Sequence, residues 1–424
     1  MFNLRLFMLL SALFAFSVPT VAVEVKIACG GPVGQELYLC KQAVKAWSEK
    51  TGHTATVVPS PQTTDQRYKK FSEQLKAGDA NIDVYEMDVI WPGLLAEYFI
   101  DLRQFISEEE IQEHFPAIIK NNTVNDRLVG MPWYTDVGLL YYRKDLLAKH
   151  DAKVPETYSE LADTGLRIQT EERQGGNNQI WGYVFEGEDY EGLMCNVMEW
   201  LVAYNGGTIV DESGKVTINN PQAITAVDRA AGWVGNIAPP IVTNFREEDA
   251  RLTFMRGDAV FMRNWPYVWN LLQADDMSPV AGRVDIAPLP KGGERGEHAS
   301  TLGGWQLGVS KFSKNPEVAA DLVNYLTSEK VQKERAVEGS FAPTIRSLYE
   351  DLDVLRANPI FAKLQPILDK AVARPTSQTG SHYRDVSTAT STTVHEILQG
   401  KESAAKGLAA LQDELQQILT SGSQ

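Results

Sequence analysis

A chain of 424 residues is longer than a single hydrophobic core usually supports, so two domains are expected. Its 40 Lys and Arg stand against 55 Asp and Glu, a net charge of −15. That acidity argues against nucleic acid or an anionic membrane as partner, since both attract basic surfaces.

In chain order, Arg5 precedes an apolar run from Leu6 to Phe16, and Thr20-Val21-Ala22 offers small side chains for cleavage. The run is too short to cross a hydrocarbon core of about 30 Å as a helix. Residues 1–22 therefore read as a cleaved secretory signal. Glu24 and Lys26 interrupt what a lipoprotein signal would need as apolar sequence, which argues against Cys29 as a lipid anchor. Cys29 and Cys40 are close enough in sequence to be candidates for a bridge in an oxidising compartment. Cys195 falls in an apolar helical pattern and reads as a small core residue.

Glu24 to Ala28 predicts a strand, broken by Gly30-Gly31-Pro32. From Gln35 to Lys50, Leu37, Cys40, Val44 and Trp47 recur at helical spacing until Gly52. Thr54 to Val58 predicts a second strand, Asp65 to Lys76 a second helix and Ile82 to Met87 a third strand. Such alternation implies a parallel sheet covered by helices. Val137 to Tyr142 reads as a further strand, followed by helices from Lys144 and Pro155. Helices are also predicted over Met194 to Tyr204, Pro221 to Trp233 and Glu247 to Arg256. Ala259 to Met262 and Val284 to Ala287 read as strands, and the chain turns mostly helical from Pro316. No linker separates these blocks, so the chain is expected to cross between two lobes more than once. Ligands of open α/β sheets sit beyond the strand ends or between domains.

Aromatic residues cluster in those places. Trp91, Trp133, Tyr134, Trp265, Tyr267, Trp269 and Trp305 follow predicted strands or lie in neighbouring loops. Asp88, Asp136 and Arg263 stand two or three positions from one of them. Aromatic faces suit the C–H faces of sugars, and carboxylates or guanidinium groups suit their hydroxyls. Each aromatic taken alone is as readily a core residue. Asn264-Trp-Pro-Tyr-Val-Trp269 and Thr301-Leu-Gly-Gly-Trp305 are harder to read that way, because proline and paired glycines suit a close backbone approach. Other chemistries lack their motifs. His395-Glu396 is followed by Gln399 where a zinc protease needs its second histidine, and no phosphate loop, nucleophile elbow or CxxC is present.

The stretches Gly130 to Leu147, Arg263 to Trp269, Ala287-Pro-Leu-Pro290, Thr301 to Trp305 and Asp83 to Val89 together resemble the extracellular solute-binding proteins of carbohydrate ABC importers, within them the trehalose/maltose-binding branch. The resemblance runs through essentially all of the chain after residue 22. It implies an α/β periplasmic-binding-protein fold of two lobes, each a mostly parallel sheet flanked by helices, joined by three crossovers. These would lie near Pro132 to Asp136, near Arg283 and near Gly339 to Pro343. One lobe would comprise residues 23–133 and 285–338, the other 137–284 and 343–424. It further implies that Glu36, Arg67 and Asp88 bind sugar hydroxyls, with Tyr134 and Asp136 at a crossover. Trp265, Tyr267, Gly304 and Trp305 would supply stacking and backbone contacts, and Arg374 would reach the sugar from the second lobe. The Gly31-to-Glu36 stretch departs from the family's spacing, which leaves a neighbouring residue as an alternative to Glu36. The implied protein is a periplasmic monomer that passes an α-linked disaccharide to a membrane permease, without cofactor, metal or catalysis. A non-sugar solute on the same fold and a secreted glycoside hydrolase are the alternatives.

Overall fold

The computed structural model describes residues 22–274 and 277–421; the leader reading falls on residues outside that range. Eleven strands are described: β1 (Glu24–Ala28), β2 (Thr54–Val58), β3 (Val84–Asp88), β4 (Thr123–Val124), β5 (Arg127–Leu128), β6 (Met131–Val137), β7 (Leu139–Arg143), β8 (Trp181–Val184), β9 (Ala259–Asn264), β10 (Val284–Ala287) and β11 (Leu302–Val309). They form a five-stranded sheet in the order β2-β1-β3-β11-β6, a four-stranded sheet in the order β10-β7-β9-β8, and the β4-β5 hairpin.

The expected strand–helix alternation holds in the first lobe. The helix Gln35–Thr51 buries Leu37, Leu39, Cys40, Val44 and Trp47, and Gly52 ends it at φ 77°, a left-handed conformation that suits glycine. The next helix, Thr64–Lys76, is capped by the Thr63 side chain, which accepts from the Gln66 N–H. Both sheets are mixed rather than mostly parallel. β2-β1-β3 run parallel, but β11 is antiparallel to β3 and β6, and in the second sheet only β8-β9 is parallel. β11 is the strand by which the chain returns from the second lobe, so it runs opposite to β3.

The predicted strand from Val137 to Tyr142 is in fact two. β6 ends at Val137 in the first sheet and β7 begins at Leu139 in the second, with Gly138 between them. A Cβ on Gly138 would fall within 2.8 Å of the Arg263 guanidinium, so glycine lets the strand pass this buried ion cluster. A second correction concerns residues 284–287, which the family resemblance places at the start of the return to the first lobe. Val284↔Arg143 through Ala287↔Leu140 pair antiparallel, so β10 belongs to the second sheet and the return lies between it and β11. At the third junction the helix Glu329–Gly339 ends in Ser340 (φ 53°), and the Thr135 N–H donates to Ala342 O at 2.9 Å. Ile345, Leu348, Phe361 and Leu364 then pack with Leu139, Tyr141 and Val184 of the second sheet.

Cys29 and Cys40 form a disulfide with Cα atoms 6.6 Å apart, and Cys195 is buried, as its helical pattern predicts. Among the described residues no helix is long and apolar enough to cross a membrane.

Candidate functional site

The carboxyl ends of β1, β3 and β6 and the amino end of the antiparallel β11 converge on one polar cluster. Glu36 sits in the first turn after β1, its carboxylate accepting from the Gly31 N–H (3.0 Å), Arg67 Nη2 (3.0 Å) and the Tyr134 hydroxyl (2.7 Å). Burial pushes its pKa up, but Arg67, by charge and hydrogen bond, and the Tyr134 hydroxyl outweigh it and hold the pKa down at about 2. Arg67 is itself anchored, with Nε donating to Pro61 O and Nη1 to Glu86 Oε2 at 3.3 Å. Its guanidinium lies 4.5 Å from the ring centre of Trp305. Glu86, fully buried on β3, also accepts from the Gly30 N–H; burial, with Glu36 alongside, pushes its pKa up to about 8.

Asp88 ends β3. Its Oδ1 accepts from the Ile90 N–H (3.1 Å) and lies 3.5 Å from Arg374 Nη2, and burial raises its pKa to about 6. Arg374, buried in the second lobe, donates through Nη1 to Glu191 Oε1 at 2.7 Å. Glu191 is held in turn by the hydroxyls of Tyr383 and Ser387. This guanidinium therefore joins an acid of each lobe across the cleft.

Asp136 follows Tyr134 on β6 and is buried, with Oδ1 lacking any hydrogen-bond partner in the described structure. Burial first, then the charges of Glu36 and Asp88, raise its pKa well above the ordinary aspartate value. Gly303 of β11 lies between Asp136 and Trp265: a Cβ there would stand 3.1 Å from both side chains. Gly304 adopts φ 126°, and a Cβ on it would come within 2.5 Å of Tyr134 O, so β11 can lie against β6 here only as glycine. Its carbonyl accepts from the Val89 N–H at 2.9 Å, and Trp305 follows, half-buried, in edge contact with Trp91.

Nine of the ten expected positions thus gather at this cleft, from Glu36 and Arg67 through Tyr134 to Trp265 and Arg374. The Tyr267 hydroxyl donates to Glu248 Oε1 (2.8 Å) of the helix Glu247–Met255, while its ring packs against both the cluster that holds Tyr134 and that of the second sheet. Trp91 and Trp133 are core residues, essentially without exposure. Arg263 is spent on structure, donating to both oxygens of Glu199 (2.6 and 3.0 Å), standing 3.5 Å from Glu186, and stacking on Trp265 at 3.9 Å.

Sequence reasoning missed Glu86 and Glu191. It also missed the lip of the cleft, where Asp65 and Tyr68 face Asp189, Tyr190 and Arg384 across a pocket. Arg384 lies 4.2 Å over the Tyr68 ring and 3.8 Å from Asp65 Oδ1, a contact between the two lobes.

Two α/β lobes around a cleft of paired charges and aromatic faces define a solute-binding protein of an ABC transporter. The chain belongs to the family of bacterial extracellular solute-binding proteins, whose model matches residues 34–333. It is 45% identical over 410 residues to a probable ABC transporter-binding protein of Deinococcus radiodurans, covering 96% of this chain and 97% of that one. Among solved structures, maltose-bound MalE3 of T. maritima is similar at TM-score 0.87 and 36% identity, over 93% of this chain and 99% of that one. A Thermotoga lettingae solute-binding protein bound with α-D-tagatose matches at TM-score 0.81 and 25% identity, covering 94% and 100%.

Proposed function

We propose that the cleft takes an α-linked disaccharide of the trehalose, maltose or sucrose type in the periplasm, and that the protein, as a monomer, delivers it to the membrane permease without converting it. The observation that carries this reading is the pairing of unfilled acceptor capacity with aromatic faces at one place. Asp136 Oδ1 is buried and unpartnered, Asp88 is engaged only at Oδ1, the Trp265 ring lies against Gly303, and Trp305 follows Gly304. Carboxylates accept from hydroxyls, and indole faces cover C–H faces. The likeness to a maltose-bound structure supports the same reading. A ligand touching both lobes stabilises the closed arrangement over the open one, so binding and closure are a single population shift.

Isothermal titration with trehalose, maltose, sucrose, glucose and glycerol 3-phosphate tests it. One-to-one binding of an α-disaccharide is expected, with a tryptophan fluorescence change, and Asp136→Ala or Trp305→Ala should remove most of the affinity at an unchanged melting temperature. Affinity for glycerol 3-phosphate alone would overturn the sugar reading in favour of a charged solute. Release of reducing ends from trehalose or sucrose in proportion to protein would overturn the assignment as a pure binder.

A further inference from the structure

Two acids compete for the guanidinium of Arg374. Its Nη1 donates to Glu191 Oε1 at 2.7 Å, whereas Nη2 stands 3.5 Å from Asp88 Oδ1 and 3.4 Å from Leu302 O. Its Nε is buried and has no hydrogen-bond partner in the described structure. The cation is thus drawn to the acid of the second lobe and holds that of the first only loosely.

The way Glu191 is built in explains the difference. It opens the helix Glu191–Ala203, where the positive end of the helix favours a carboxylate. Its Oε1 accepts from the Tyr383 hydroxyl as well as from Arg374, and its Oε2 accepts from the Ser387 hydroxyl at 2.6 Å. Tyr383 and Ser387 are buried one turn apart on the helix Tyr383–Leu398, which packs against Glu191–Ala203. The loop that carries Arg374 is pinned too: the Val372 N–H donates to Ser300 O at 2.8 Å, and Val372 O accepts from the Leu302 N–H at 2.9 Å. Asp88 has less to offer. Beyond Arg374 it accepts only from the Ile90 N–H; Arg67 of the helix Thr64–Lys76 and Asp136 of β6 act on it by charge, without a hydrogen bond in the described structure. The phenol of Tyr383 and the thiol of Cys195 also face Arg374.

We infer that Glu191 is a positioning residue of the cleft, a carboxylate fixed by two hydroxyls that holds Arg374 back from Asp88 and so keeps both groups available to ligand oxygens. The inference rests on the sugar-binding reading for its ligand. A full ion pair between Arg374 and Asp88 would consume an acceptor and a donor together, and a hydroxyl would have to break it before binding. Held toward Glu191, the guanidinium keeps its place before the ligand arrives, and orientation in advance is what a supporting residue contributes to affinity.

The test titrates maltose by calorimetry into wild type, Glu191→Gln and Glu191→Asp, and follows the ¹³C-carboxyl titration of Asp88 in the same proteins without ligand. E191Q keeps the side chain's size and an oxygen for Tyr383 but removes the charge that competes with Asp88. It should bind at least fivefold more weakly, and its Asp88 midpoint should fall from about 6, since the guanidinium moves onto that acid. E191D withdraws the carboxylate by one methylene without losing its charge. A smaller change in the same two directions is expected there, which loss of a negative charge cannot explain. Unchanged affinity in both variants, or weaker binding with an unmoved or raised Asp88 midpoint, would overturn the inference. Failure of both variants to fold would assign Glu191 to the fold and overturn it as well. If wild type binds no sugar, the sugar reading has failed, and the Asp88 midpoint in E191D decides alone: a fall supports the positioning role, and an unmoved midpoint overturns it.

Discussion

Glu36 and Glu86 accept hydrogen bonds from one guanidinium, that of Arg67, at 3.0 and 3.3 Å. One cation cannot fully serve two buried acids. Glu36, with the Tyr134 hydroxyl in addition, is held at about 2, and Glu86 is pushed up to about 8. Their contributions to stability have opposite signs. Between about pH 2 and 4.5 the unfolded Glu36 binds the proton that the folded one does not, so its contribution rises with pH and is lost on acidification. Between about pH 4.5 and 8 the folded Glu86 holds the proton that the unfolded one has released, so stability falls as pH rises.

Glu86→Gln should therefore flatten the decline in melting temperature from pH 5 to 8. At pH 8 the variant should be the more stable of the two, since the amide stands in for the protonated carboxyl. Thermal unfolding at four or five pH values checks this. Parallel curves for the two proteins would mean that Glu86 is ionised throughout.

Gly304→Ala should be severe for its size. At φ 126° the new Cβ would stand 2.5 Å from Tyr134 O, so β11 and β6 must separate or twist. Strain of this kind costs about 2 kcal/mol. It would also move Trp305 relative to Tyr134, and both a lower melting temperature and a loss of sugar affinity above tenfold are expected. A crystal structure or a hydrogen-exchange profile of β11 would locate the change.

Arg384→Ala probes the lip. The pair with Asp65 and the stack on Tyr68 are partly exposed, so together they contribute about 1 kcal/mol to the closed arrangement. Removing them should weaken sugar binding about fivefold, mostly through faster dissociation, with the melting temperature of the ligand-free protein unchanged. The ionic share of that loss should shrink in 1 M salt, where the Debye length is about 3 Å. Stopped-flow fluorescence at low and high salt measures both.

Local elements with clean periodicity were legible in the sequence: β1 and β2 match their predicted ranges residue for residue, and the helix Gln35–Thr51 ends at the predicted glycine. β6 and β11 were not legible as strands. Every residue of Met131–Val137 is buried, so no alternation of apolar and polar marks it, and Gly303-Gly304 looks like a loop. The cleft residues that were read lie on motifs with an unusual local composition. Those that were missed are defined by distant partners. Glu191 owes its place to Arg374, Tyr383 and Ser387, more than 180 positions away.

The Cys29–Cys40 bridge encloses the loop whose two amides, Gly30 N–H and Gly31 N–H, hold Glu86 and Glu36. Both acids of this pair thus accept from backbone that a covalent link restrains. Protein produced in a reducing cytosol would carry two thiols at these positions. Its first-lobe loop would be free to wander, and its affinities would belong to a looser molecule than one oxidised before purification. Preparative history becomes an experimental variable, and counting free thiols in each batch is the control that makes two binding constants comparable.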